Sequence, residues 1–208
     1  MPAQPPRWAS PIEKPRLLAV EGRQDNRFLS ALLQYLGIEA NFDIRSLEGV
    51  SNFNNIIRTF PSVSGFAQVE SLGVIRDADQ NAQSAFQSVC SALRNAQLSV
   101  PEQPLSIVGE KPRVSVFIWP DCQSTGTLET LCLSSVHDDP AMDCVEQYFE
   151  CLTRRLETIP KTLHKARLHT FLASREKPGL RLGEAAEKGY WPWDHAVFDP
   201  IKQFLLAM

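Results

Sequence analysis

No run in this chain approaches the ~18 consecutive apolar residues of a membrane-spanning helix. Residues 1–10 carry three prolines and no apolar stretch, which is not the pattern of a secretory signal. No CxxC pair occurs among the five cysteines, Cys90, Cys122, Cys132, Cys144 and Cys151. An odd count at irregular spacing argues against a disulfide framework and a zinc ribbon, and fits free thiols in a reducing cytoplasm. Neither GxxxxGK(S/T) nor GxGxxG is present, which excludes the two common glycine-rich phosphate cradles. His137, His164, His169 and His195 stand at no metal-ligating spacing, and Ser134-Ser135 lacks the context of a nucleophile elbow. Basic charge is not in excess either. The 21 Lys and Arg against 24 Asp and Glu leave a net −3, unlike a protein that coats nucleic acid.

What is present is ordinary in amount. The 208 residues are 43% hydrophobic and 22% charged, which suits one domain of usual size and excludes wholesale disorder. Five of the 15 prolines fall in residues 1–15, so this segment reads as a floppy or wrapped arm without helix or ladder. Residues 16–208 read as a single domain whose last part, from about 128, is helical. Short apolar runs predict strands at 16–20, 42–47, 69–75, 105–108 and 114–119, with a turn at 109–112. Helical spacing marks 26–35, 53–60 and 82–96, then 128–133, 141–156, 161–173, 182–188 and 200–206. Strands alternating with helices predict an α/β fold with a mostly parallel sheet flanked by helices. The Tyr190-Trp191-Pro192-Trp193 cluster reads as an anchor tying the last segment to the core, with base stacking as the alternative.

In such a sheet, ligands gather at the carboxyl ends of the strands. Those ends are acidic here: Glu21, Asp25, Asp77, Asp79, Asp121 and, opening a helix after Gly126, Glu129. Carboxylates crowded at one edge repel each other, and a hard divalent cation such as Mg²⁺ relieves the conflict. On an extended backbone Asp77 and Asp79 would point the same way and reach one ion. Each residue also has an ordinary reading: a turn or cap for Asp79 and Asp121, a favourable dipole contact for Asp25. Glu21 is harder to assign so, because Glu is not a favoured turn former and it ends an apolar strand before Gly22.

Leu18-Ala19-Val20-Glu21-Gly22 followed by Asp25 resembles the first motif of the Toprim fold, and Ile75-Arg76-Asp77-Ala78-Asp79 resembles its DxD motif. The chain is most similar to a family of small stand-alone Toprim-like bacterial proteins, and more distantly to the overcoming-lysogenization-defect nucleases. Trp119-Pro120-Asp121, Gly126-Thr127-Leu128-Glu129, and a helix carrying Lys165, Leu168, Thr170, Phe171, Leu172 and Ala173 extend the likeness. The resemblance implies a Rossmann-like sheet of about four parallel strands and a Mg²⁺ (or Mn²⁺) site. It implies Glu21 as general acid/base or metal ligand and Asp77 and Asp79 as ligands, with Asp25 and Glu129 matching the additional acidic residues of the nucleases. It also implies a lysine that steadies charge on the transferring phosphate, with Lys165 the first candidate and Lys161 the second.

The even composition conceals an uneven chain. Residues 151–181 hold eight basic residues against Glu157 and Glu176, a net +6, whereas residues 137–150 hold five acidic residues and no Lys or Arg. Arg154, Arg155, Lys161 and Arg167 are therefore candidate contacts to nucleic acid, the alternative being two solvated helix faces. Three functions stay open. One is a Mg²⁺-dependent phosphodiester hydrolase or transferase acting on nucleic acid. The second is a non-catalytic nucleic-acid or nucleotide-binding module working with a partner protein, and the third a phosphatase on small phosphoesters.

Overall fold

The computed structural model describes residues 7–47 and 50–208. Its centre is a four-stranded sheet: β1 (Arg16–Val20), β2 (Phe42–Ser46), β3 (Ser71–Asp77) and β4 (Arg113–Trp119). The order is β2-β1-β3-β4 and every pairing is parallel. Leu18 aligns with Ile44 on one side and Gly73 on the other, and Asp77 aligns with Trp119. β1, β3 and β4 are apolar on both faces because helices cover both faces, which is why they read as continuous hydrophobic runs. β2, at the sheet edge, alternates apolar and charged residues instead.

Successive side chains alternate across the sheet, so β1, β3 and β4 each feed two cores. Leu18, Val20, Ile75, Phe117 and Trp119 pack on one face, against α1 (Arg23–Tyr35), α4 (Leu128–Ser135), α5 (Pro140–Arg155), α6 (Leu163–Ala173), α7 (Leu182–Glu187) and α8 (Asp199–Ala207). Leu17, Ala19, Val74, Val116 and Ile118 face the other way, against α2 (Val50–Thr59) and α3 (Ala82–Asn95). The helices that follow β4 thus lie on one face of the sheet, and the expected α/β architecture is the observed one.

The expected strand at 105–108 is absent. Leu105 takes a left-handed backbone at φ 68°. Pro101 and Pro104 have no N–H to donate to a ladder. The segment instead runs beside β4 as a loop, with Leu105 N donating to Val116 O at 2.9 Å and a single bridge between Val108 and Val114. It shields part of the sheet edge without extending it.

Within the described part, the N-terminal arm is wrapped rather than floppy. Ile12 is buried, its amide donates to Ser64 O at 2.8 Å, and Trp8 packs on the same core. The expectations for residues 1–6 lie outside the described residues. The aromatic cluster near the C-terminus is an anchor: Trp191 is buried and stacks on Phe171, and Trp193 meets Phe28 edge-on. Among the described residues no helix is long and apolar enough to cross a membrane.

Candidate metal and phosphate site

The strand register dictates what meets at the carboxyl end of the sheet. Glu21 leaves β1 one residue after the Val20–Ile75 pairing, which sets it beside Arg76 of β3. Arg76 Nε lies 3.9 Å from Glu21 Oε2, and both atoms are buried without a hydrogen-bond partner. The Arg76 guanidinium is otherwise fixed by Ser88 Oγ at 2.7 Å and lies over the Phe53 ring. Burial raises the Glu21 carboxyl, while the Arg76 charge opposes that shift.

Asp25 sits in the first turn of α1, yet it is buried rather than presented to solvent. Its Oδ1 accepts a 3.0 Å hydrogen bond from the Trp119 indole at the end of β4. A Cβ on Gly22 would come within 3.0 Å of Oδ2, so the glycine leaves room for this carboxylate. Desolvation pushes the Asp25 carboxyl up to about 7, opposed by the indole and aided by the charges of Glu21 and Glu129.

Asp77 is the last residue of β3 and faces α4. Its Oδ1 accepts from the Leu128 amide at 3.0 Å, at the positive end of that helix. Burial, followed by the charges of Asp25, Glu21 and Glu129, pushes its carboxyl up to about 8. Glu129 stands in the first turn of α4; Thr127 Oγ1 donates to its Oε2 at 2.7 Å, and Lys165 Nζ approaches its Oε1 at 3.8 Å. The structure thus gathers Glu21, Asp25, Asp77, Glu129 and Lys165 at one end of the sheet, from four separate elements and the turn after β1.

Asp79 differs from Asp77. The extended backbone that would align the two ends at Asp77: Asp79 has φ 50° and is exposed. Its main chain exchanges hydrogen bonds with Gly126, at 2.8 and 2.9 Å. It is not the cap of α3 either, because Asn81 accepts from Ser84 N in that role. Its carboxylate still contributes to the charge felt by Glu21. Asp121 is engaged in its own turn, accepting from the Gln123 and Ser124 amides and from Ser124 Oγ, which holds its carboxyl low against a partial desolvation.

The candidate basic contacts fall into two groups. Arg167 is bound to Glu146 by hydrogen bonds of 2.9–3.1 Å and lies over Phe149. Arg154, Arg155 and Lys161 are exposed around the turn between α5 and α6, Arg154 with Glu150 at 4.0 Å. Arg76, Trp119 and Thr127 are the residues that sequence reasoning missed here. Arg76 was within sight, since it lies inside the 75–79 motif, but its direction follows only from the register. Nothing local in the sequence marks Trp119 as the donor to Asp25.

The donor set suits a hard cation, being carboxylate oxygens with one buried oxygen, Glu21 Oε2, that accepts no hydrogen bond. Among the described residues no group of three or more His, Cys, Asp and Glu side chains forms a ready cage for an ion.

The fold recurs in solved structures. A hypothetical protein from Pyrococcus horikoshii OT3 aligns with TM-score 0.60 and 16% identity, over 94% of this chain and 95% of its own. The C-terminal region of the Burkholderia pseudomallei OLD protein aligns with TM-score 0.52 and 16% identity, over 94% and 99%. That of the Xanthomonas campestris pv. campestris OLD protein gives 0.51 and 12%, over 93% and 96%. At these identities the likeness is one of fold. No curated protein matches the chain in sequence. A family model described as "Protein of unknown function (DUF3226)" matches residues 15–208.

Proposed function

The chain belongs to the DUF3226 family, and we propose that it is a Toprim-type, divalent-cation-dependent phosphodiester hydrolase or transferase acting on nucleic acid. The observation that carries this reading is the crowding of Glu21, Asp25, Asp77 and Glu129, with Asp25 and Asp77 raised to about 7 and about 8. Strongly perturbed carboxyls gathered at the carboxyl end of a parallel sheet are a functional signature with a physical reason. The fold shared with the C-terminal regions of OLD proteins, and the motif resemblance to the overcoming-lysogenization-defect nucleases, support the same class.

Glu21, Asp25, Asp77 and Glu129, with Asp79 beside Glu21, would hold Mg²⁺ or Mn²⁺. Such an ion, when bound, polarises a phosphoryl oxygen and lowers the pKa of a water. The chain's own groups have separate tasks. Glu21 Oε2 accepts no hydrogen bond, and its raised pKa suits it to accept a proton from the attacking hydroxyl or water. Lys165, half-exposed and steadied by Glu129, presents an ammonium to a phosphate oxygen from the solvent side. Arg154, Arg155 and Lys161 would meet further backbone phosphates beyond it.

Purified protein incubated with labelled single- and double-stranded DNA and RNA should cleave or transfer with Mg²⁺ or Mn²⁺ and not in chelator. Glu21→Gln and Asp77→Asn should abolish this with circular dichroism unchanged. Absence of turnover on every substrate with either ion would sink the enzymatic reading. The lack of a ready ion cage among the described residues favours a second one: a binding module that works with a partner protein. Tight nucleic-acid binding indifferent to divalent ions would support that alternative.

A further inference from the structure

We propose that Trp119 is a positioning residue of this site, its indole N–H fixing the Asp25 carboxylate for the ion. This rests on the metal-site reading above. A buried indole N–H needs an acceptor, and a backbone carbonyl would satisfy it without burying a charge. Here the acceptor is a carboxylate that is itself buried, a costly partner unless its charge has a use.

The geometry is fixed from both sides. Trp119 ends β4, is fully buried, and is held edge-on by Phe28 at 5.9 Å and by Phe117 at 5.1 Å. The indole therefore has no room to turn away. Asp25 is carried on α1, with Oδ1 against the indole and Oδ2 over Gly22. The same device recurs around the site: the Leu128 amide holds Asp77 Oδ1 and the Thr127 hydroxyl holds Glu129 Oε2. In each case a neutral donor anchors one oxygen of a carboxylate. Such outer-shell donors orient ligands and carry affinity without touching the ion. Trp119 joins residues 94 apart in the chain, and its donor is a side chain, so substitution can remove it.

The test is Mn²⁺ binding by calorimetry on the wild type, Trp119→Phe, Asp25→Asn and the double variant. Phe keeps an aromatic ring in the core and removes the donor. We expect Trp119→Phe to weaken Mn²⁺ binding about tenfold to a hundredfold. In the Asp25→Asn background it should cause little further loss, because the charged ligand that the indole orients is gone. A tryptophan that only fills space would lower Tm without this coupling. Wild-type affinity in Trp119→Phe, or a loss that multiplies that of Asp25→Asn, would overturn the proposal while leaving the metal site standing. A wild type that binds no Mn²⁺ overturns both. If Trp119→Phe does not fold, ¹⁵N-tryptophan-labelled wild type supplies the readout. The Trp119 indole resonance should shift with Mg²⁺ in step with binding, and a resonance unmoved at saturation refutes the role.

Discussion

Replacing Asp77 with Asn should make the ion-free protein more stable. A pKa unit between folded and unfolded states is 1.36 kcal/mol. A carboxyl carried from 3.8 to about 8 therefore weakens the folded state by roughly 5 kcal/mol at pH 7.5. The amide still occupies a buried position and leaves part of its hydrogen-bonding capacity unmet, which offsets roughly 2–3 kcal/mol. The net gain is about 2 kcal/mol, or roughly 4–8 °C in Tm for a chain of this size. The sign with pH follows from the same shifts. Glu21, Asp25 and Asp77 all bind a proton more tightly folded than unfolded. Their favourable contribution is complete below the unfolded values near 4 and is lost as pH rises through about 7 and about 8. Scanning calorimetry in chelator should show the wild-type Tm falling between roughly pH 5 and 8.5, with a shallower fall for Asp77→Asn. Mg²⁺ should raise the wild-type Tm at the alkaline end and narrow the gap. A lower Tm for Asp77→Asn at pH 8, or a wild-type Tm indifferent to pH, would refute the burial penalty and the repulsion behind it.

Asp139 caps α5 through the Ala141 amide at 2.9 Å and receives two hydrogen bonds from Arg175, at 2.9 and 3.0 Å, which hold its carboxyl below the usual range. Asp139→Ala should cost roughly 1–2 kcal/mol and Asp139→Asn about half of that, since Asn keeps a capping oxygen. That contribution is present above the unfolded pKa of 3.8 and is lost as pH falls through the lower folded value. Urea midpoints should converge in acid, and equal midpoints at pH 7 would contradict the pairing. Gly65→Ala should loosen the N-terminal arm: φ is +88° and a Cβ would lie 2.1 Å from the Ile12 carbonyl oxygen. A loss of roughly 2–3 kcal/mol is expected, with faster proteolysis near residue 12. An unchanged Tm would mean the arm does not pack there.

The sheet was legible because three of its strands are buried on both faces. Leu17-Leu18-Ala19-Val20, the run through Ile75 and the run through Trp119 carry enough adjacent apolar residues to be read without a partner. The run at 105–108 looked similar over four residues. What decides it is backbone chemistry, two prolines and a left-handed Leu105 beside an edge strand. Four residues of pattern carry no information about which hydrogen bonds remain to be made. Helices such as α1, α3 and α5 were legible from a different signal, an apolar face long enough to show its period.

The site was legible as a set of residues but not as a geometry. Glu21 stands out because it breaks local rules, being a poor turn former at a strand end. Asp25 follows none of the local logic: its position in a first turn suggests a dipole contact, whereas the register of β4 brings an indole to it and buries it. Charge shows the same gap between chain and space. The acidic residues 137–150 and the basic residues 151–181 are segregated along the sequence, but α5 and α6 run back against each other. Glu146 therefore takes Arg167 and Asp139 takes Arg175. Part of the +6 is spent inside the fold as ion pairs. On the proposed reading, a polyanion would meet the exposed remainder at the α5–α6 turn, Arg154, Arg155 and Lys161, and then Lys165 at the acidic edge. A net charge cannot anticipate that path, because it depends on which cations the opposite helix has already neutralised.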